Sequence, residues 1–209
     1  MFQWLIEFDK RALLYLNGKH SPVWDNLMFW ISDNHAKNWI PLYVFLLILI
    51  IYRERPYRFI FTILFVAITV TLCDQISVLI KDHLVQRFRP SHDPVIADML
   101  HIVNNYSGGN YGFISSHAAN VFGVATFLSN QFKNYKWSLF LFTWAAVVSY
   151  TLIYLGVHYP LDIICGAIFG ILIGTQCYVY KVRTAVYIEQ RIQIRKEKRE
   201  EKKNRNINS

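Results

Sequence analysis

The 209-residue chain is 54% hydrophobic and 16% aromatic but only 17% charged, more apolar material than one soluble core requires. Its net charge of +8 is concentrated at one end: from Lys181 onward ten Lys/Arg stand against four Glu, so the last stretch holds +6 of the total. Because that stretch directly follows a long apolar block, it reads as a membrane orientation signal rather than a nucleic-acid arm, and no nucleic-acid partner is expected.

In chain order, residues 2–16 mix Phe2, Trp4, Leu5, Ile6 and Phe8 with Glu7, Asp9, Lys10 and Arg11, a pattern that suits a helix lying at the membrane interface. Early acids, the lack of a basic leader and the lack of a small-residue cleavage site argue against a secretory signal. Residues 22–33 (PVWDNLMFWISD) read as a second interfacial helix or a sixth, short membrane segment. Apolar blocks follow at 39–52, 57–80, about 113–132, 137–156 and 160–180. With their flanks each reaches about 20 residues, enough for about 30 Å of hydrocarbon. The sequence therefore predicts an all-α polytopic membrane bundle of five to six spanning helices, with an N-terminal interfacial helix and a basic cytoplasmic C-terminal helix or tail. The parts run 1–37, 38–181 and 182–209. Cys73, Cys165 and Cys177 all fall inside predicted spans and read as small apolar residues.

Placing the basic tail in the cytoplasm fixes the side of every loop. The 53–58 turn (RERPYR) and the 133–136 turn (KNYK) then come out cytoplasmic, as their arginines and lysines require. The 81–112 loop, the start of the next helix and the 156–160 break all fall on the outer side. That face collects the unusual polar residues: Lys81, Arg87, Arg89 and His92 from "KDHLVQRFRPSHDP", Ser115, Ser116 and His117 from "SSHAAN", and His158 and Asp162 from "GVHYPLD". Such a set suits phosphate. Arginine offers a planar fork of donors, and a helix N-terminus at Ser115 offers free N–H groups. Two histidines suffice for metal-free phosphoryl transfer, one as nucleophile and one as acid, and Asp162 beside His158 would fix its tautomer. A zinc reading of His92, His117, His158 and Asp162 lacks any HExxH or CxxC pattern, and the arginines would repel a cation.

These three stretches resemble the PAP2 (type 2 phosphatidic acid phosphatase) superfamily of integral membrane lipid phosphatases, closest to its bacterial members, over about residues 38–181. The family signatures run Lys-x6-Arg-Pro, Pro-Ser-Gly-His and Ser-Arg-x5-His-x3-Asp. Here "RP" at 89–90, "SSH" at 115–117 and "HYPLD" at 158–162 stand in that order. The resemblance implies Arg89 as phosphate clamp, Ser115 as hydroxyl donor, with Ser116 beside it, His117 as general acid, His158 as nucleophile and Asp162 as its partner. It implies no metal and no cofactor. The substrate would be a lipid phosphate within the bilayer: undecaprenyl diphosphate, phosphatidylglycerol phosphate, phosphatidate or a lipid A phosphate. The expected setting is the bacterial inner membrane with the site on the periplasmic face.

Two departures stand out. Leu152 occupies the position of the signature arginine six before His158. Lys81 precedes Arg89 by eight positions where the signature asks for seven, and one residue of helix turns a side chain by about 100°. Arg87 or Lys81 is then the expected substitute cation, and Lys81 needs a flexible stem or a helix distortion to reach the site. The departures also keep open a catalytically impaired lipid-phosphate binder. A transporter reading finds little support, since Asp74 is the main charge inside the spans. Trp39 and Tyr159 read as interface anchors, and His83, His92 and His101 as exposed or interfacial.

Overall fold

The computed structural model describes residues 3–32, 39–54 and 56–207, so the expected boundary between residues 37 and 38 lies outside the described residues. Among the described residues seven α-helices follow in order: α1 (Gln3–Asn17), α2 (Pro22–Ser32), α3 (Ile40–Arg53), α4 (Pro56–Leu79), α5 (Ser116–Phe132), α6 (Tyr135–Tyr154) and α7 (Pro160–Ile207). Their boundaries follow local chemistry. Pro41 lies in the first turn of α3, where its missing N–H costs nothing. Ser115 caps α5 by accepting from Ala118 N–H, and Asn134 caps α6 by accepting from Lys136 N–H.

The architecture is the expected all-helical membrane bundle. The segments Arg58–Val85, Tyr135–Tyr154 and Pro160–Glu201 are long and apolar enough to cross a bilayer. Helices α3 and α5, predicted as spans, are shorter, at 14 and 17 residues. In α5 the first turn is given over to Ser116 and His117, so polar chemistry takes the place of apolar length. Helix α7 runs unbroken through 48 residues, from Pro160 into the basic tail.

Helix α5 is the centre of the bundle, flanked by α7, α6 and α4. Its closest neighbour is α7, and the reason is a run of small residues, "GAIFGILIG". A Cβ at Gly166, Gly170 or Gly174 would collide with the α5 backbone at Ser115, Ala119 and Gly123. Glycine every fourth residue lets the two backbones touch along their length. That contact sets the α5 N-terminus against the α7 N-terminus, which is where both chemical motifs begin.

Helix α1 is amphipathic in an inverted sense. Its buried face is Asp9, Leu13 and Asn17, while Trp4, Ile6, Phe8 and Tyr15 point outward. The outward apolar face fits the predicted interfacial position. The inward polar face does not belong to a helix merely floating there, because it is bonded to the 154–162 turn. Asn17 Nδ2 donates to Tyr154 O (2.7 Å) and His101 O (3.0 Å), and Asp9 Oδ1 accepts from Leu161 N–H (3.0 Å).

Candidate active site

The loop from 86 to 115 folds back on itself. Arg89 N–H donates to Asn110 O, Gly112 N–H donates to Arg87 O, and Phe88 pairs with Tyr111 between them. In such an extended stretch alternate side chains share a face. Arg87 and Arg89 accordingly both point at the start of α7.

Arg89 is buried, with its Nε–H on Tyr111 O (3.1 Å) and its Nη1 3.1 Å from His158 Nε2. Since guanidinium only donates, Nε2 of His158 is the acceptor and the ring proton resides on Nδ1. Nδ1 lies 3.5 Å from Asp162 Oδ2, just beyond hydrogen-bond length. Both His158 and Asp162 are fully buried. Burial drives the His158 pKa down to about 4, against the pull of Asp162 and with the help of the Arg89 cation. The ring is therefore neutral at ordinary pH, with the Nε2 lone pair directed at the arginine. Arg89 itself is lowered, chiefly by burial.

Lys81 reaches the site despite its extra residue. The last turn of the α4 helix is π-helical over Ile80–Val85, closed by Gln86 N–H on Lys81 O. A π turn absorbs one additional residue, which restores the register. Lys81 Nζ donates to Ser116 Oγ at 2.9 Å, and Ser77 Oγ donates to the same oxygen at 2.7 Å. The family has glycine where this chain has Ser116, so the hydroxyl that anchors the lysine is itself a departure.

Ser115 is fully buried; its Oγ accepts from Ala118 N–H (3.4 Å) and its N–H donates to Asp162 O (3.1 Å). His117, in the first turn of α5, lines a groove of about 610 Å³ that runs along Tyr43, Val66, Val121, Leu128 and Trp144. Apart from His117 and Asn120 its lining is apolar or aromatic. Loops and helix ends from all three motifs thus meet at one end of the molecule.

Arg87, expected as a substitute phosphate cation, is engaged otherwise. Its Nη1 donates to Asp162 Oδ1 (3.0 Å), its Nη2 donates to Asp9 Oδ2 (2.7 Å), and its guanidinium lies 3.8 Å over the Tyr159 ring. Leu152 is buried among Leu13, Val103 and Tyr154, and its carbonyl receives the N–H groups of Val157 and His158. An apolar side chain fills the space of the signature arginine, and the backbone there shapes the turn. Tyr159 is no interface anchor: it is fully buried and donates to Asp93 Oδ2 (2.8 Å). Asp93 also meets Lys10 Nζ (2.9 Å), which helps hold its carboxyl below the usual range against desolvation. Trp39, likewise read as an anchor, stacks edge-on against Trp144. His101 pairs with Asp25 (2.9 Å) away from the site.

Three contributors were not anticipated from the sequence: Asp9, Gly112 and the glycine run of α7. Gly112 lies over the histidine, where a Cβ would come 3.0 Å from Asp162 Oδ2 and 3.2 Å from Arg89 Cγ. The four-residue glycine spacing was a readable signal. A lone acid in the apolar N-terminal stretch was a weaker one. Among the described residues no group of three or more His, Cys, Asp or Glu is arranged to hold a metal ion.

Comparison with known proteins bears on the family and the fold. Residues 58–185 match the PAP2 superfamily. The chain is 39% identical to a lipid A 4'-phosphatase of Bacteroides thetaiotaomicron over 171 residues, covering 81% of this chain and 75% of the relative. It is 34% identical to a lipid A 4'-phosphatase of Porphyromonas gingivalis over 180 residues, covering 86% and 75%. Among solved structures, Aquifex aeolicus LpxE aligns with a TM-score of 0.57 at 23% identity, covering 80% of this chain and 92% of the other. A PAP2-type phosphatidylglycerolphosphate phosphatase from Bacillus subtilis aligns at 0.62 and 17% identity, covering 87% and 88%. At those identities the two structures speak for the fold. The chain belongs to the PAP2 superfamily, as a membrane lipid phosphatase of bacterial type.

Proposed function

We propose that the protein removes a phosphate monoester from a lipid A-type glycolipid by way of a phosphohistidine. The observation that carries this reading is the contact of Arg89 Nη1 with His158 Nε2 at 3.1 Å in a fully buried setting. An entering phosphate offers the guanidinium a better, charge-assisted partner and so exposes the nitrogen lone pair to phosphorus. His158 Nε2 attacks in line while His117 protonates the departing sugar oxygen. Asp162 balances the positive charge that develops on the imidazole ring. Water then cleaves the P–N bond, giving up its proton to His117, and inorganic phosphate leaves. Arg89, Lys81 and the N–H groups at the start of α5 face the phosphoryl oxygens, with the Ser115 hydroxyl beside them.

The glycolipid assignment rests on the two curated relatives, both lipid A 4'-phosphatases. The apolar groove from His117 suits an acyl chain that stays in the bilayer while the headgroup enters. The basic tail, read as cytoplasmic, supports a site on the outer face of the inner membrane. No metal takes part: the oxygens of the phosphate are met by side-chain cations and backbone dipoles.

The test is phosphate release by the purified protein in detergent with EDTA, given bisphosphorylated lipid A, phosphatidate and undecaprenyl diphosphate separately. Release from lipid A, lost in His158→Ala, is expected. Release that survives the substitution removes the nucleophile, and dependence on an added divalent ion removes the metal-free route. Binding of lipid A with no release from any lipid would favour the impaired binder that Leu152 suggests.

A further inference from the structure

We propose that Asp9, on the N-terminal helix α1, is a positioning residue for phosphoryl transfer, acting through Arg87 to hold Asp162 beside His158. The inference rests on the phosphohistidine reading and adds to it a part of the chain outside the region that matches the family, which begins at residue 58.

Asp9 is 1% exposed, on the buried face of α1 beside Leu13 and Asn17, while Trp4, Ile6, Phe8 and Tyr15 face outward. A buried carboxylate is tolerated only with full pairing. Both oxygens of Asp9 are paired, and with donors only: Leu161 N–H at 3.0 Å and Arg87 Nη2 at 2.7 Å. Burial pushes the Asp9 carboxyl above its ordinary pKa, and the Leu161 N–H and the Arg87 guanidinium work against that shift in favour of the ionised form. The other arm of the same guanidinium reaches Asp162 Oδ1 at 3.0 Å, and the Tyr159 ring fixes its plane from 3.8 Å. Asp162 Oδ2 receives Tyr159 N–H (3.0 Å) and faces His158. A continuous chain of contacts therefore runs from α1 to the nucleophile.

Charge explains why an acid is needed at its far end. Asp9, Arg87 and Asp162 together carry a net charge of −1, which faces the histidine. Without Asp9 the full guanidinium charge bears on Asp162 and cancels the carboxylate just where positive charge develops on the ring. Two further contacts join α1 to this region, Lys10 to Asp93 and Asn17 to Tyr154, and neither touches Arg87. They supply an internal control for helix docking alone.

The experiment compares Asp9→Asn, Arg87→Gln, Asn17→Ala and the double variant Asp9→Asn/Arg87→Gln with the full-length wild type in detergent. Substrates are lipid A and dioctanoyl phosphatidate, and thermal unfolding is followed in parallel. Expected is a fall in kcat of about tenfold or more in Asp9→Asn with KM within about twofold. Asn17→Ala should weaken unfolding resistance more than it slows turnover. The double variant should be no slower than Asp9→Asn, because the unbalanced guanidinium has gone. Wild-type kcat in Asp9→Asn overturns the proposal. Where Asp9→Asn also unfolds early, a double variant slower by the product of the two single losses overturns it as well. An inactive wild type would instead sink the phosphatase reading itself, so the two failures are separable.

Discussion

Two clusters of buried acids and bases lie at opposite ends of this bundle, and they are built differently. At the tail end Lys181 Nζ meets Glu54 Oε1 (3.1 Å) and Gln131 Oε1 (2.8 Å), while Thr62 donates to Glu54 Oε2 (2.6 Å) and Gln131 donates to Glu54. One lysine answers one carboxylate, and amide and hydroxyl groups complete the set, tying α3, α4, α5 and α7 together. At the site end three cations, Lys81, Arg87 and Arg89, stand against two carboxylates, Asp9 and Asp162, around a neutral histidine whose Nδ1 lacks a hydrogen-bond partner. The first cluster is closed and neutral. The second keeps a surplus positive charge, which suits an incoming anion, and a ring N–H that faces Asp162 without a full hydrogen bond; neither adds to stability. Buried charge by itself does not mark a function; incomplete compensation does.

That contrast can be broken most severely at the histidine. His158→Asn should lower phosphate release by at least about a thousandfold, read by single-turnover assay, since no other group can form the intermediate. Gly112→Ala should cost roughly ten- to a hundredfold in kcat. Its new methyl group must displace Asp162 Oδ2 or the Arg89 stem, and small displacements of reacting groups are expensive. Lys81→Met should cost about tenfold or more in kcat/KM, matching one charge-assisted phosphate contact of about 1.5–3 kcal/mol. The opposite pattern is expected at the tail end. Glu54→Ala leaves the buried Lys181 ammonium with Gln131 alone and should destabilise the bundle by about 3–5 kcal/mol, read by denaturation in detergent, with kcat unchanged.

The same contrast explains what could be read without coordinates. Apolar periodicity and length gave the helices, and the order of the three motifs pointed to Arg89, Ser115, His158 and Asp162, which the fold brings into contact, with His117 expected beside them. Distances along the chain were misleading wherever the backbone departs from regular helix. Lys81 looked out of register because the count assumed an α-helix, whereas a π turn occupies Ile80–Val85. Arg87 looked like a spare phosphate ligand because its competitor for that guanidinium, Asp9, lies 78 positions away. Tyr159 looked like an interface anchor because nothing local marks a tyrosine whose partner is Asp93, 66 positions off. Local pattern reports what a residue is able to do; long-range pairing decides which of those options is taken.

The smallest effect concerns protons, and it isolates the open character of the site end. Burial holds the folded His158 near a pKa of 4, while the unfolded chain keeps the ordinary value of 6.5. Between those two values the unfolded state binds more protons than the folded state. Stability linked to this histidine is therefore fully present above pH 6.5 and declines as the pH falls toward 4, at up to about 1.4 kcal/mol per pH unit. His158→Asn has no such group, so the difference in unfolding free energy between wild type and variant should narrow in wild type's disfavour across that window. The same depressed value keeps Nε2 unprotonated down to about pH 4, so the acid limb of single-turnover phosphate release should lie well below 6.5. A limb at 6.5, together with a pH-independent stability difference, would mean that the histidine is hydrated or fully bonded to Asp162. The site end would then be as closed as the tail end.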